Sequence, residues 1–232
     1  MKRYLPFVII AGVLAGAIGA GAFMFRSAQP TPTPTPEPLQ TPVVSQTISP
    51  ESEAAKSEVL IEEFGDYQCP PCGTLHPEMK KLKGEFGSKI KFVFHHFPLT
   101  RIHKNAAIAS FAAAAAAEQG KFWEMHNLLY ESQEVWSETD SFAPILVNFA
   151  RQLNLNMEQF ERDINDSKVK AVVVTDVQLG EARGVTGTPT LFIDGQLIEG
   201  EKLETANLRK EIKKRLEAKS QAGNSASGAP GN

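Results

Sequence analysis

Two cysteines are the entire thiol complement of this 232-residue sequence, and they stand together as Cys69-Pro70-Pro71-Cys72. A disulfide scaffold needs several bridges between distant segments. A structural zinc site usually needs four ligands, often from two such pairs. Neither second pair exists. A bridge from Cys69 to Cys72 closes a loop too short to constrain much of the unfolded chain, so the pair reads as reactive rather than structural. The chemistry open to it is thiol–disulfide exchange, in which a thiolate attacks. A half metal site and an idle pair are the alternative readings.

A thiolate has to be stabilised, and a helix N-terminus does so with its partial positive charge and free amides. A helix is expected from about Pro70 to Glu85. It places Cys69 at its exposed start and Cys72 one turn inward, shielded and able to resolve a mixed disulfide. Pro70 and Pro71 pre-set φ for the first turn but carry no N–H. The nearest donors for a Cys69 thiolate are then the Cys72 and Gly73 amides, and a depressed but not extreme thiol pKa is expected.

The elements that must hold this site follow from hydrophobic pattern. A short strand from Glu58 to Phe64 precedes the cysteines. Lys89 to His95 alternates as a second strand. Helices are expected over Ile102–Glu118, where alanine dominates, and over Phe122–Glu131, with Phe122, Met125 and Leu129 on one face. Further helices are read over Ser141–Leu153, Met157–Ile164 and Lys168–Arg183. Thr190–Ile193 and Gln196–Ile198 flank Asp194-Gly195, a two-residue hairpin turn. Leu203–Leu216 is the last helix, amphipathic through Leu208, Ile212 and Leu216.

Both ends read differently from this core. After Met1-Lys2-Arg3-Tyr4, the 21 residues from Leu5 to Phe25 are apolar, long enough to span a bilayer. Residues 1–26 are therefore expected to be a membrane anchor with Lys2 and Arg3 on the cytoplasmic side, or else a cleaved signal. Residues 27–57 form a Pro/Thr-rich linker, semi-extended because each proline removes a donor and fixes φ. Residues 220–232 are expected to be a disordered tail, leaving 58–219 as the folded domain. The net charge of −3 with both signs interspersed gives no sign of a nucleic-acid partner.

Three stretches resemble the DsbA-like branch of the thioredoxin superfamily. The first is Val59-Leu60-Ile61-Glu62-Glu63-Phe64 with Asp66-Tyr67-Gln68-Cys69-Pro70-Pro71-Cys72, followed by Phe92-Val93-Phe94-His95-His96-Phe97-Pro98-Leu99. The second is Lys121-Phe122-Trp123-Glu124-Met125-His126. The third runs from Val185 through Thr188-Pro189 to Gly195. The resemblance implies an α/β thioredoxin fold with an inserted helical domain at about 99–166. It implies a cis Pro189 facing the redox pair, with the backbone of Thr188 left to pair with substrate, and an acid at Glu63 beneath the second cysteine. The chain departs from the family member with Cys-Pro-His-Cys, because Pro71 stands where that protein has a thiolate-stabilising histidine.

The function expected is thiol–disulfide exchange on unfolded or partly folded protein thiols outside the cytoplasm, as an oxidant. Cys69, Cys72, Pro189, Thr188 and Glu63 are its site residues. No cofactor is required, and the resemblance implies a membrane partner that reoxidises the pair. Rival readings are a reductase or isomerase with the same site, a copper metallochaperone and an inactive peptide-binding module. His95, His96, His103 and His126 do not favour a metal site. The first two point to opposite sides of a strand, and His126 reads as a packed helix residue.

Overall fold

The computed structural model describes residues 58–227. The expected anchor or signal, the linker and residues 228–232 lie outside the described residues. Among the described residues no helix is long and apolar enough to cross a membrane.

Strand β1 (Val59–Gly65) leads into helix α1 (Pro70–Phe86), which returns the chain to β2 (Ile90–His96). The two strands pair in parallel, Val59 with Ile90 through Gly65 with His96. The chain re-enters the sheet at β3 (Thr190–Ile193), antiparallel to β1, and turns back into β4 (Gln196–Ile198). The sheet order is β2-β1-β3-β4. Between β2 and β3 lie α2 (Ala106–Ala117), α3 (Phe122–Glu131), α4 (Gln133–Trp136), α5 (Phe142–Gln152), α6 (Met157–Asp163) and α7 (Ser167–Ala182). Helix α8 (Thr205–Ser227) follows β4. This is a thioredoxin fold whose βαβ and ββα halves are separated by a helical insertion.

Strand alternation decides what each face of the sheet meets. Val59 and Ile61 of β1, with Leu191 and Ile193 of β3, pack with Leu75, Met79 and Leu82 of α1 and with Leu208 and Ile212 of α8. Phe64 and Phe192 turn to the other face and pack with Phe97 and Val185. Gly180 of α7 permits that approach, since a Cβ there would sit 2.7 Å from the Phe97 ring. The hairpin turn is Asp194-Gly195, with φ of 48° and 76°. Asp194 Oδ1 also accepts the Leu60 amide at 3.0 Å, tying the turn to β1.

The insertion has its own core, built on an alanine face. Ala109, Ala112, Ala113 and Ala116 have no solvent exposure, and Met125, Leu129, Trp136 and Phe149 pack in the same cluster. Small side chains let neighbouring helices approach closely. Helix α2 begins at Ala106 rather than at Ile102, because Leu99, His103 and Asn105 are engaged by the loop before Cys69. Helix α4 was not foreseen, four residues being too few to show a periodicity. Its Trp136 is fully buried, donates Nε1–H to the Leu129 carbonyl at 2.8 Å and stacks on Phe142 with centroids 4.4 Å apart.

One boundary needs correction. The segment 220–227, expected to be a disordered tail, continues helix α8. The residues leading into it include Arg215, Glu217, Ala218 and Lys219, all strong helix formers. Extending an existing helix fixes one residue per added bond, far easier than starting one.

Trp136→Ala should cost about 3–5 kcal/mol, since it empties the junction between α3, α4 and α5 and leaves the Leu129 carbonyl unpaired. Chemical denaturation of the folded domain would measure the loss.

Candidate active site

Cys69 is the N-cap of α1, with φ −72° and ψ 119°, and Pro70 and Pro71 occupy the first helical positions. Both cysteines are free thiols and both are buried. The sequence reading expects an exposed Cys69; instead it is 4% exposed. The reason is the loop before β3, which lies against it: the Cys69 thiol donates to the Thr188 carbonyl at 3.3 Å. The Thr188–Pro189 peptide bond is cis. The Thr188 carbonyl is thus engaged by the thiol rather than left free.

The two thiols are shifted in opposite directions. The hydrogen bond from the Cys72 thiol is the main influence on Cys69 and lowers its pKa, to about 6; burial opposes, and the Thr188 side chain and the Cys72 amide assist. Burial pushes Cys72 well above the usual thiol range, helped by the bond it gives to Cys69 and by the charges of Glu63 and Cys69. Of the two amides expected to serve Cys69, only that of Cys72 does so. The Gly73 amide is spent on the Cys69 carbonyl, at 3.1 Å, as an ordinary helical bond.

Glu62 and Glu63 part company because neighbouring strand residues face opposite ways. Glu63 lies on the α1 side, 2% exposed, and its Oε1 has no hydrogen-bond partner among the described residues. Burial, with a smaller contribution from the Cys69 charge, raises its pKa to about 8. Glu62, expected to be half-exposed, is mostly buried on the other face. Arg183 grips it with two bonds of 2.7 and 3.2 Å, and His95 stands 3.4 Å away. Burial raises the Glu62 pKa, but His95 and Arg183 outweigh it and bring the value to about 2.

The loop before Cys69 is held by residues the sequence reading did not single out for this role. Asp66 has no exposure; its carboxylate accepts the Gln68 amide at 2.7 Å, the Leu99 amide at 2.9 Å and His103 Nδ1 at 2.7 Å. Gln68 in turn accepts the Asn105 amide at 2.7 Å and donates to the Ser137 carbonyl at 2.6 Å. Tyr67 is fully buried, with its hydroxyl 3.2 Å from His126 Nδ1. The signal that could have flagged these residues was Asp66 itself, a charged side chain directly after a buried strand.

Among the described residues no group of three or more His, Cys, Asp or Glu side chains could hold a metal ion. His96 and His126 are buried, and burial lowers both pKa values, that of His96 to about 4. They act as packing groups around Tyr67 and Phe94.

A raised carboxyl pKa contributes stability that is fully present below the unfolded value and is lost as pH rises through the folded one. Relative to Glu63→Gln, the wild type should therefore lose stability between about pH 4.5 and 8, by on the order of 1–3 kcal/mol. Urea unfolding of both proteins across that range checks this; parallel pH profiles would contradict it.

Comparison with known proteins agrees with this architecture. A family model described as thioredoxin matches residues 53–214. A thioredoxin-like oxidoreductase from Silicibacter pomeroyi DSS-3 is 25% identical with a TM-score of 0.58, over 68% of this chain and 87% of that one. A double cysteine-to-alanine variant of alpha-DsbA1 from Wolbachia pipientis is 25% identical with a TM-score of 0.61, over 72% of this chain and 90% of that one. BdbD from Bacillus subtilis, at 22% identity and a TM-score of 0.59 over 69% and 89%, shares the fold. Curated relatives include a Na(+)/H(+) antiporter NhaA 3 from Salinispora tropica, 35% identical over 62% of this chain. The chain spans 21% of the length of that relative. Taken with the cysteine pair ahead of α1 and the helical insertion, the match to well over half of the sequence shows that the chain belongs to the thioredoxin family, in its DsbA-like branch.

Proposed function

We propose that the chain is a protein thiol–disulfide oxidoreductase that works through Cys69 and Cys72 outside the cytoplasm, in the oxidising direction. The observation that supports this most is the opposite shift of the two thiols, Cys69 down to about 6 and Cys72 well up. A thiol of low pKa is the better leaving group in exchange, and one held protonated does not compete for substrate.

In the oxidised protein a substrate thiolate attacks Cys69 Sγ. The Cys69–Cys72 bond breaks and a mixed disulfide forms, with Cys72 leaving as a thiolate that takes up a proton. Glu63, kept neutral up to about pH 8, is the group able to supply it. A second substrate thiolate then attacks the substrate sulfur and expels Cys69 as a thiolate. The substrate loses two electrons and, on ionising, two protons; the protein ends with Cys72 as a thiol and Cys69 as a thiolate, and Glu63 regains its proton from solvent. Thr188 and Pro189 line the approach to Cys69 and position the incoming chain.

The same reading takes residues 5–25 as the element that keeps the domain at a membrane. Its support is the apolar run after Lys2 and Arg3. Retention of the full chain in the membrane fraction after carbonate washing tests it.

Cys72→Ser should trap covalent, reductant-sensitive adducts through Cys69, because the resolving thiol is gone. Cys69→Ser should trap none. Equal adduct formation by both variants would reverse or remove the assignment.

The direction of exchange has a thermodynamic signature. A depressed folded-state pKa contributes stability that is fully present above the unfolded value and is lost as pH falls through the folded one. Only the reduced protein has this thiolate. It should melt above the oxidised form at pH 8, by about 2–4 °C per kcal/mol for a domain of this size. The gap should close as pH falls through about 6. An oxidised form that melts higher at every pH would favour a reductase.

A further inference from the structure

Two carbonyls at the start of α1 take a donor from a distant element. Tyr67 lies two residues before the N-cap, so no helical amide meets its carbonyl. A buried carbonyl left unpaired is costly. Gln133, the first residue of α4, fills the gap. Its Nε2 donates to the Tyr67 carbonyl at 2.7 Å and to the Cys69 carbonyl at 2.9 Å. Two carbonyls face this end of the side chain, so only the NH2 group satisfies both.

The other end of the same amide lies over Gly73. A Cβ at Gly73 would come within 2.9 Å of Gln133 Cδ and nearer still to Oε1. Gly73 has no positive φ to explain it. Its lack of a side chain makes room for Gln133.

We propose that Gln133 is a positioning residue for the redox pair, holding the Cys69 backbone so that its thiol meets the donors that prepare it for attack, and that Gly73 exists to admit it. The inference rests on reading Cys69 as the attacking thiol. The helical insertion is thereby mechanically joined to the chemistry: a hydrogen bond spanning 64 residues of sequence reaches the carbonyl of Cys69. Loss of the contact frees the N-cap to rotate away from the Cys72 thiol and amide, and the thiolate loses support.

The test uses two routes to the same contact. Gln133→Ala removes the donor. Gly73→Ala pushes the amide aside; because the far end of a flexible side chain is what must move, the helix itself is left in place. The readout is the pH profile of Cys69 alkylation by iodoacetamide in the reduced full-length protein, with thermal melting measured alongside. The titratable groups facing Cys69 are Cys72 on α1, Glu63 on β1 and Asp66 in the loop, and neither substitution alters them.

Each single variant should move the midpoint upward by about 0.5–1 unit, a three- to tenfold loss of thiolate in mild acid. The double variant should move no further than Gln133→Ala alone, since both changes break one contact. Gln133→Glu, which cannot donate when ionised and adds a negative charge, should move it more. An unchanged midpoint in Gln133→Ala, or additive shifts in the double variant, would overturn the proposal. Disulfide exchange of the wild type with glutathione is measured separately. Its absence would sink the oxidoreductase reading, while the alkylation profiles still decide the role of Gln133.

Discussion

Asp66 has no contact with solvent, and its carboxylate is committed to the Gln68 amide, the Leu99 amide and His103. A buried carboxylate survives only when it is well bonded, so each of these partners is under constraint. The Asp66 carbonyl receives the Cys69 amide at 3.1 Å, which closes the turn that launches α1. The residues after β2 must then lie against this loop, and α2 must start late. Pro70 and Pro71 carry no amide, and side chains join the backbone in fastening the helix terminus. Asp66, Gln68 and Gln133 do this together, and the insertion supplies most of their partners.

The sheet separates two electrostatic problems that are neighbours in sequence. On one face Glu62 belongs to a closed ion chain: Arg183, Glu62, His95 and Asp176, with His95 Nδ1 3.0 Å from Asp176. Burial lowers the His95 pKa, but Asp176 and Glu62 outweigh it and raise it to about 9. Arg183 also lies 3.8 Å over the Phe192 ring, so the chain is packed as well as paired. On the other face Glu63 is left without a cation. The first arrangement holds charge in place; the second raises a carboxyl's pKa by burial. A one-residue slip of β1 would exchange the two and disable both.

The insertion is more than a cover. Its alanine face lets α2 nest deeply, which carries α3 over Tyr67 and brings α4 to the cysteine loop. The element that carries Trp136 into the insertion's core also carries Gln133, whose amide meets the Cys69 carbonyl.

Local patterns in the sequence determined a good deal. Thr190–Ile193, Asp194-Gly195 and Gln196–Ile198 are a strand, a turn and a strand in sequence and structure alike, because the turn needs left-handed residues at fixed places. The cysteine spacing, the helix behind it and the run of helices in the insertion were legible for the same reason: spacing and periodicity are properties of neighbouring residues. The resemblance to a family supplied the order of the elements and pointed to Glu63, Thr188 and Pro189. What only the tertiary structure decided were single contacts between remote segments. Asp66 meets His103 across 37 residues, Gln133 meets Cys69 across 64, and Cys69 meets Thr188 across 119. The burial of Cys69 and the pairing of Glu62 belong to the same class. One hydrogen bond between distant side chains imposes no repeating pattern on either segment, so only the folded chain, by bringing them within 3 Å or so, reveals it.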